Sequence, residues 1–100
     1  MTTLFIWEFV ARRGKTAEFE RWYAPDGAWA QLFHRAPGYE GTSLLRDTAL
    51  PRRYVTIDRW VSAAAQRDMR AKFAREYEAL DAACSELTES ERAIGVFEGQ

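Results

Sequence analysis

The sequence predicts an α+β fold of order βαββαβ, and three observations carry that expectation. An apolar strand (Leu4 to Val10) runs into an amphipathic helix and then a strand opening at Tyr39; a second strand (Arg53 to Trp60) repeats the order through a longer helix from Ser62 to a last strand near Arg92. This is the split βαβ arrangement, here with a four-stranded antiparallel sheet carrying its helices on one face. The strands are nevertheless apolar on both faces, so the bare face needs a cover, and a second copy of the chain is the expected one. Third, 100 residues without a linker or low-complexity stretch are expected to form a single domain spanning 1–100. A chain of that size buries only about 60–65% of its unfolded surface, so association would reinforce a modest core.

In the first strand Phe5, Trp7 and Phe9 face one way and Leu4, Ile6, Glu8 and Val10 the other. Gly14 ends it, and Thr16 is the expected N-cap of a helix whose Glu18 and Glu20 sit near the positive end of the dipole. Phe19, Trp22 and Tyr23 form its apolar stripe. Pro25 lacks an N–H, so the helix should break there and restart with Asp26 as cap, carry Trp29, Leu32 and Phe33, and stop at Pro37-Gly38. Strand 2 (Tyr39 to Asp47) joins strand 3 through a polar loop with Pro51. Strand 3 alternates Tyr54, Thr56, Asp58, Trp60 against Val55, Ile57, Arg59, Val61. Ser62 can cap the next helix, whose apolar positions Met69, Phe73, Tyr77, Leu80, Cys84 and Leu87 recur at helical spacing. Thr88 and Glu91 have capping-box spacing, but the apolar Ile94, Val96 and Phe97 that follow suit a strand, and the pair is read as a turn.

Charge and composition exclude several classes. The 14 basic and 15 acidic residues nearly cancel and are interspersed, which argues against a nucleic-acid surface. No stretch has the roughly 20 apolar residues of a membrane span, and MTTLFIWEFV lacks a positive n-region, so no membrane partner or leader is expected and the cytoplasm is the expected location. One histidine and one cysteine make no zinc framework and no intrachain disulfide, and the six glycines form neither GxGxxG nor a P-loop. Cys84, on an apolar helical stripe, reads as a buried structural thiol.

What remains is aromatic. Fourteen per cent of the chain is Phe, Trp or Tyr, with four tryptophans. If strands 1 and 3 are parallel neighbours, Trp7 and Trp60 come close near their C-terminal ends, with Asp58 facing the same way. A carboxylate among indoles would have a raised pKa and suit a general base. The competing reading is that the rings fill the core and Asp58 is satisfied by a helix donor. His34 at the end of helix 1 invites a catalytic role but also suits the negative end of the dipole beside Arg35. Glu8 and Arg59, at similar heights on the other sheet face, suggest a cross-strand ion pair.

The segments FIWEFVARRGKTAEFERWY, GAWAQLFHRAPGYEGTSLLRD and RYVTIDRWVS, with a helix ending EYEALDAAC, resemble the antibiotic biosynthesis monooxygenase family over nearly the whole chain. The best marks are D-x-W-x-S (Asp58, Trp60, Ser62) and the G-Y-x-G-T turn (Gly38 to Thr42). The resemblance implies a ferredoxin-like fold, a homodimer whose two sheets face each other as a dimeric α/β barrel, and a pocket between sheet and helices towards which Trp60 points. It also implies oxidation of a small aromatic or polyphenolic substrate, of anthrone or quinol type, by O2 without a cofactor. The substrate then supplies the electrons, and the protein supplies a dry pocket, a base and oxyanion donors. On that reading Asp58 and Trp60 are catalytic, and Trp7, Phe9, Trp22, Trp29, Phe33, His34, Tyr54 and Tyr77 bind substrate. The haem-degrading branch uses a strand-1 asparagine, the strand-3 tryptophan and a helix-2 histidine. Only Trp60 is kept, so haem cleavage is not expected. The alternative is a non-catalytic dimer of the same fold that binds a small ligand or regulates.

Overall fold

The computed structural model describes residues 1–100, with β1 (Thr3–Ala11), α1 (Thr16–Tyr23), α2 (Ala28–Phe33), β2 (Tyr39–Arg46), β3 (Arg53–Trp60), α3 (Ala63–Lys72), α4 (Ala74–Cys84) and β4 (Thr88–Glu98). The strands form one antiparallel sheet in the order β2-β3-β1-β4. This is the ferredoxin-like arrangement, with all helices on one side.

The neighbours β1 and β3 are antiparallel, not parallel as expected. The helical crossover sets β2 parallel to β1, and the hairpin then reverses β3. Trp60 therefore stands opposite Thr3 and Trp7 opposite Thr56, which separates the two indoles by roughly 13 Å along the sheet. The same reversal undoes the Glu8–Arg59 pair. Glu8 stands opposite Val55 and bonds Arg53 and Arg92 instead, while Arg53 also reaches Asp47 at 2.8 Å and Arg59 donates to Ser43 at 3.0 Å.

The first helix does break at Pro25. Ala24 is extended (ψ 160°), as a residue before proline tends to be. The chain re-enters a helix after Gly27, where a Cβ would lie 2.6 Å from the carbonyl oxygens of Arg21 and Trp22. The expected caps are displaced: Lys15 and Gly27 occupy the N-cap positions without side-chain bonds, leaving Thr16 inside α1 and Asp26 outside α2. Ser62 does cap α3, accepting from Ala65 N–H at 3.1 Å. The single long helix expected after it is two, broken at Phe73 (φ −110°, ψ 34°). β4 starts at Thr88, so Thr88 to Glu91 is strand and not a turn.

Two apolar clusters lie between sheet and helices. One gathers Phe9, Ala11, Phe19, Tyr23, Tyr54, Cys84 and Leu87; the other gathers Leu32, Phe33, Ala36, Trp60, Met69 and Phe73. Trp29 packs against both. The opposite sheet face carries Leu4, Ile6, Val55 and Ile57 with no helix over them, and Leu45 and Phe97 beside them are 51% and 46% exposed. No helix is long and apolar enough to cross a membrane.

Phe19 is fully buried and touches the rings of Phe9, Tyr23 and Tyr54. Phe19→Ala should therefore cost about 3–5 kcal/mol. Ser62→Ala, which removes only a cap bond, should cost about 1 kcal/mol. Urea unfolding of both variants checks the order.

Candidate functional site

A cleft opens where the two clusters meet. The pleat of β3 turns Tyr54, Thr56, Asp58 and Trp60 toward the helices, and the register places Thr42 of β2 beside Asp58 and Trp7 of β1 beside Thr56. Trp7, Phe9, Thr42, Thr56 and Asp58 form the sheet side of the cleft. Tyr23, Trp29, Ala30 and Phe33 wall it from α1 and α2, Tyr77 and Asp81 from α4, and Glu91 from β4. The empty space is about 550 Å³ when the open mouth is counted. The break at Pro25 matters here, because it lets α2 set Trp29 and Phe33 against this wall while α1 closes the first cluster with Phe19.

Asp58 is the group with chemical promise. Thr42 Oγ1 donates to Asp58 Oδ1 at 2.7 Å, and Tyr39 hydroxyl lies 2.5 Å from Thr42 Oγ1. Thr42 has one hydroxyl proton, which the carboxylate takes, so Tyr39 must be the donor to Thr42. Oδ2 receives no hydrogen bond from the protein, yet it is not sealed off. Burial pushes the Asp58 pKa up to about 6, against the opposing pull of the Thr42 bond and the charge of Arg59. The result is a carboxylate near neutral pH with one oxygen free and a real affinity for a proton.

The other polar groups are acids and hydroxyls. Burial, and then the charge of Asp81, raise Glu91. Burial also raises Tyr77, opposed by the Arg70 guanidinium that lies 4.4 Å from its ring centroid. Tyr23 is held protonated by burial and by Cys84 and Glu91 nearby. Trp29 Nε1 is buried without a partner; Tyr23 and Cys84 lie beside it outside hydrogen-bond geometry. Three carboxyl groups line the cleft and no Lys, Arg or His does. No group of three His, Cys, Asp or Glu side chains is placed to hold a metal ion.

Of the residues singled out from sequence, Asp58, Trp7, Phe9, Trp29, Phe33 and Tyr77 stand on this wall. Four do not. Trp60 is 1% exposed and packs against Phe33 and Tyr39 at ring separations of 5.6 and 5.2 Å, so it braces the wall from behind. Tyr54 is buried with its hydroxyl donating to Glu20 at 2.5 Å. Trp22 borders a separate surface hollow with Arg21 and Asp26. His34 is exposed, its ring edge-on to Tyr39 at 4.8 Å. The wall also holds Tyr23, Ala30, Thr42, Thr56, Asp81 and Glu91, which sequence reasoning did not select. Period 2 already put Thr56 beside Asp58, and Asp81 follows Tyr77 at i+4 on one helix face. Glu91 carried no signal, because its strand was expected to start after it.

No family model and no curated protein matches the sequence. Solved structures do. SnoaB, a cofactor-independent oxygenase from Streptomyces nogalater, is 30% identical with a TM-score of 0.74; the match covers 99% of this chain and 93% of that one. A variant of SnoaB with an asparagine replaced by alanine superposes at 0.75 with the same identity and coverage. The present chain contains no asparagine, so that residue has no like counterpart here. A protein from Bordetella bronchiseptica named as a candidate antibiotic biosynthesis monooxygenase is 20% identical, with a TM-score of 0.77 over 99% of this chain and 97% of its own, and shares the fold.

The raised Asp58 pKa has a measurable consequence. Between the unfolded value near 3.9 and the folded value, the native state holds a proton the unfolded chain has released, so this group's contribution to stability falls as pH rises from about 4 to 6 and stays reduced above. Asp58→Asn should therefore be more stable than the parent at pH 8, by up to roughly 3 kcal/mol, with the advantage fading toward pH 4. Denaturant unfolding of both proteins across that range measures it. An advantage independent of pH would contradict the burial argument.

Proposed function

The chain belongs to the antibiotic biosynthesis monooxygenase family, and on that premise we propose that it is a cofactor-independent oxygenase of a small, planar, hydroxylated aromatic. The observation that carries the reading is Asp58: a carboxyl with one oxygen held and the other free, in an aromatic cleft, with a pKa of about 6. A base titrating near the operating pH is the most effective kind. The rings of Trp7, Trp29, Phe33 and Tyr77 offer flat surfaces against which a planar substrate can stack.

Asp58 Oδ2 removes a proton from the benzylic carbon of an anthrone-type substrate. The resulting electron-rich anion transfers an electron to O2, and the two radicals combine as a carbon-bound peroxide anion, which takes the proton back from Asp58. Loss of water from the resulting hydroperoxide, with the remaining C–H hydrogen, leaves a carbonyl, so anthrone and O2 become anthraquinone and water with Asp58 ionised again. Both electron pairs come from the substrate. The hydroxyls of Tyr23 and Tyr77, kept protonated by burial, line the cleft as donors for the oxyanion. A cleft with Asp58, Asp81 and Glu91 and no cation favours neutral substrates over carboxylated ones.

With 1,8-dihydroxyanthrone as probe, oxygen uptake should be catalysed by the parent, and Asp58→Asn should lower kcat by at least about 100-fold. A carboxylated analogue should be turned over at least about tenfold less efficiently. Full activity in Asp58→Asn would refute the assignment of the base.

The partner we propose is a second copy of the chain, joined through the face bearing Leu4, Ile6, Val55 and Ile57. These four aliphatic side chains lie outside the helix layer, are flanked by exposed Leu45 and Phe97, and are bordered by the ion-paired Glu8, Arg53 and Arg92. Asp58 and Trp60 lie on the other face, and the carboxylate that this face does carry, Glu8, is already paired with Arg53 and Arg92, so the two sheets can meet without trapping an unpaired charge. Light scattering at micromolar concentration should give twice the chain mass, and Ile57→Lys should shift it to the monomer. A monomeric parent would exclude this interface.

A further inference from the structure

The Gly38–Thr42 segment holds two hydroxyl residues, three positions apart, on the same side of a strand. In a regular strand Tyr39 and Thr42 would point to opposite faces. Here Tyr39 pairs with Trp60 and Thr42 with Asp58, while the register slips between Tyr39 and Gly41, so that Glu40 and Gly41 together oppose Arg59. This is a β-bulge, whose extra residue restores both side chains to the helix-facing side. Gly41 makes it possible: its φ is +133°, and a Cβ there would lie 3.1 Å from Arg59 Nη2.

We propose that this bulge positions the Asp58 base, its Tyr39 and Thr42 hydroxyls forming a directed chain that holds Oδ1 and presents Oδ2 to the cleft. The inference rests on the reading of Asp58 as the proton acceptor. Tyr39 donates to Thr42 across 2.5 Å and Thr42 donates to Oδ1 across 2.7 Å. Both protons are committed, so neither hydroxyl can turn to donate to Oδ2, and a proton arriving from the cleft is received there. The Tyr39 ring is fixed in turn by Trp60, Phe33 and His34 at 5.2, 5.5 and 4.8 Å. Trp60 thus acts on the site through Tyr39 without entering the cleft, and Tyr39 and Thr42 are positioning residues.

The bond from Thr42 favours the carboxylate against burial, so its removal should raise the Asp58 pKa further. The other groups disposed around Asp58 are Arg59 beside it on β3, Phe5 opposite on β1, Tyr77 and Asp81 from α4, Glu91 from β4 and Tyr23 from the end of α1; α2 contributes only Ala30, Trp29 and Phe33. None of them is altered by changing Thr42 or Tyr39.

The test is a carbon-13 NMR titration of the Asp58 carboxyl in the parent, Thr42→Val, Thr42→Ser and Tyr39→Phe. Thr42→Val should raise the pKa by about one pH unit and move the acid limb of kcat/KM for the anthrone probe by the same amount. Tyr39→Phe, which keeps the ring and its packing, should raise it by less. Thr42→Ser, which restores the hydroxyl, should leave it at the parent value. An Asp58 titration unchanged in both Thr42→Val and Tyr39→Phe, with Asp58→Asn still inactive, would overturn the positioning role alone. A fully active Asp58→Asn would remove the base and with it the need for any positioning.

Discussion

The pleat of β3 is the constraint on which the rest of the structure depends. Alternation sends Tyr54, Thr56, Asp58 and Trp60 under the helices and Val55 and Ile57 to the bare face, and no local adjustment can separate these assignments. A slip of one residue would exchange the sets, putting a carboxyl and an indole on the uncovered side and leaving two aliphatic residues under the helices. Each member of the helix-facing set is then treated by its own chemistry. Trp60 disappears into the second cluster, Tyr54 finds Glu20, and Asp58 is left with the Thr42 hydroxyl on one oxygen and open space at the other. The site is the part of this face that the core does not fill.

It stays unfilled because the helix layer is interrupted. Pro25 removes a backbone donor and forces Ala24 into an extended conformation, so α1 and α2 cannot run as one rod over the sheet. The first closes over Phe9 and Tyr54 with Phe19, and the second covers Trp60 with Phe33. Trp29 spans the seam between the two clusters, its ring edge-on to Tyr77 at 4.9 Å, and its buried Nε1 goes without a partner. A core optimised only for stability would close such a seam, and an orphaned indole donor at its edge is a cost of keeping it open.

Local pattern made the elements legible: period 2 for the strands, helical spacing for Phe19, Trp22 and Tyr23, and Pro25 for the break. The face carrying Asp58 was legible for the same reason. Strand direction was not, because it depends on how crossover and hairpin combine, and the error there misplaced Trp7 against Trp60 and Glu8 against Arg59. Depth was also hidden. Period 2 says which side Trp60 faces, but only tertiary packing decides that Phe33 and Tyr39 cover it while Trp7 stays at the cleft. The bulge at Glu40 and Gly41 could be suspected from a glycine within a strand, but its effect on Thr42 could not be read without the register.

The lack of any cation in the cleft bears on the chemistry it can perform. An enzyme that makes a carbanion usually needs positive charge or strong donors to hold it. In the proposed reaction proton transfer would change no net charge, since an ionised Asp58 with a neutral substrate would become a neutral Asp58 with an anion. The charge would pass from a carboxylate held by Thr42 to a ligand in the cleft that Tyr23 and Tyr77 line. Asp81 and Glu91 oppose any second negative charge brought in by the ligand, and they also act at the tyrosine end of the cleft, where the charge of Glu91 reaches both Tyr23 and Tyr77. Burial completes the balance. It raises Asp58 enough that giving up its charge costs little, and it keeps the tyrosines protonated as donors when the anion appears.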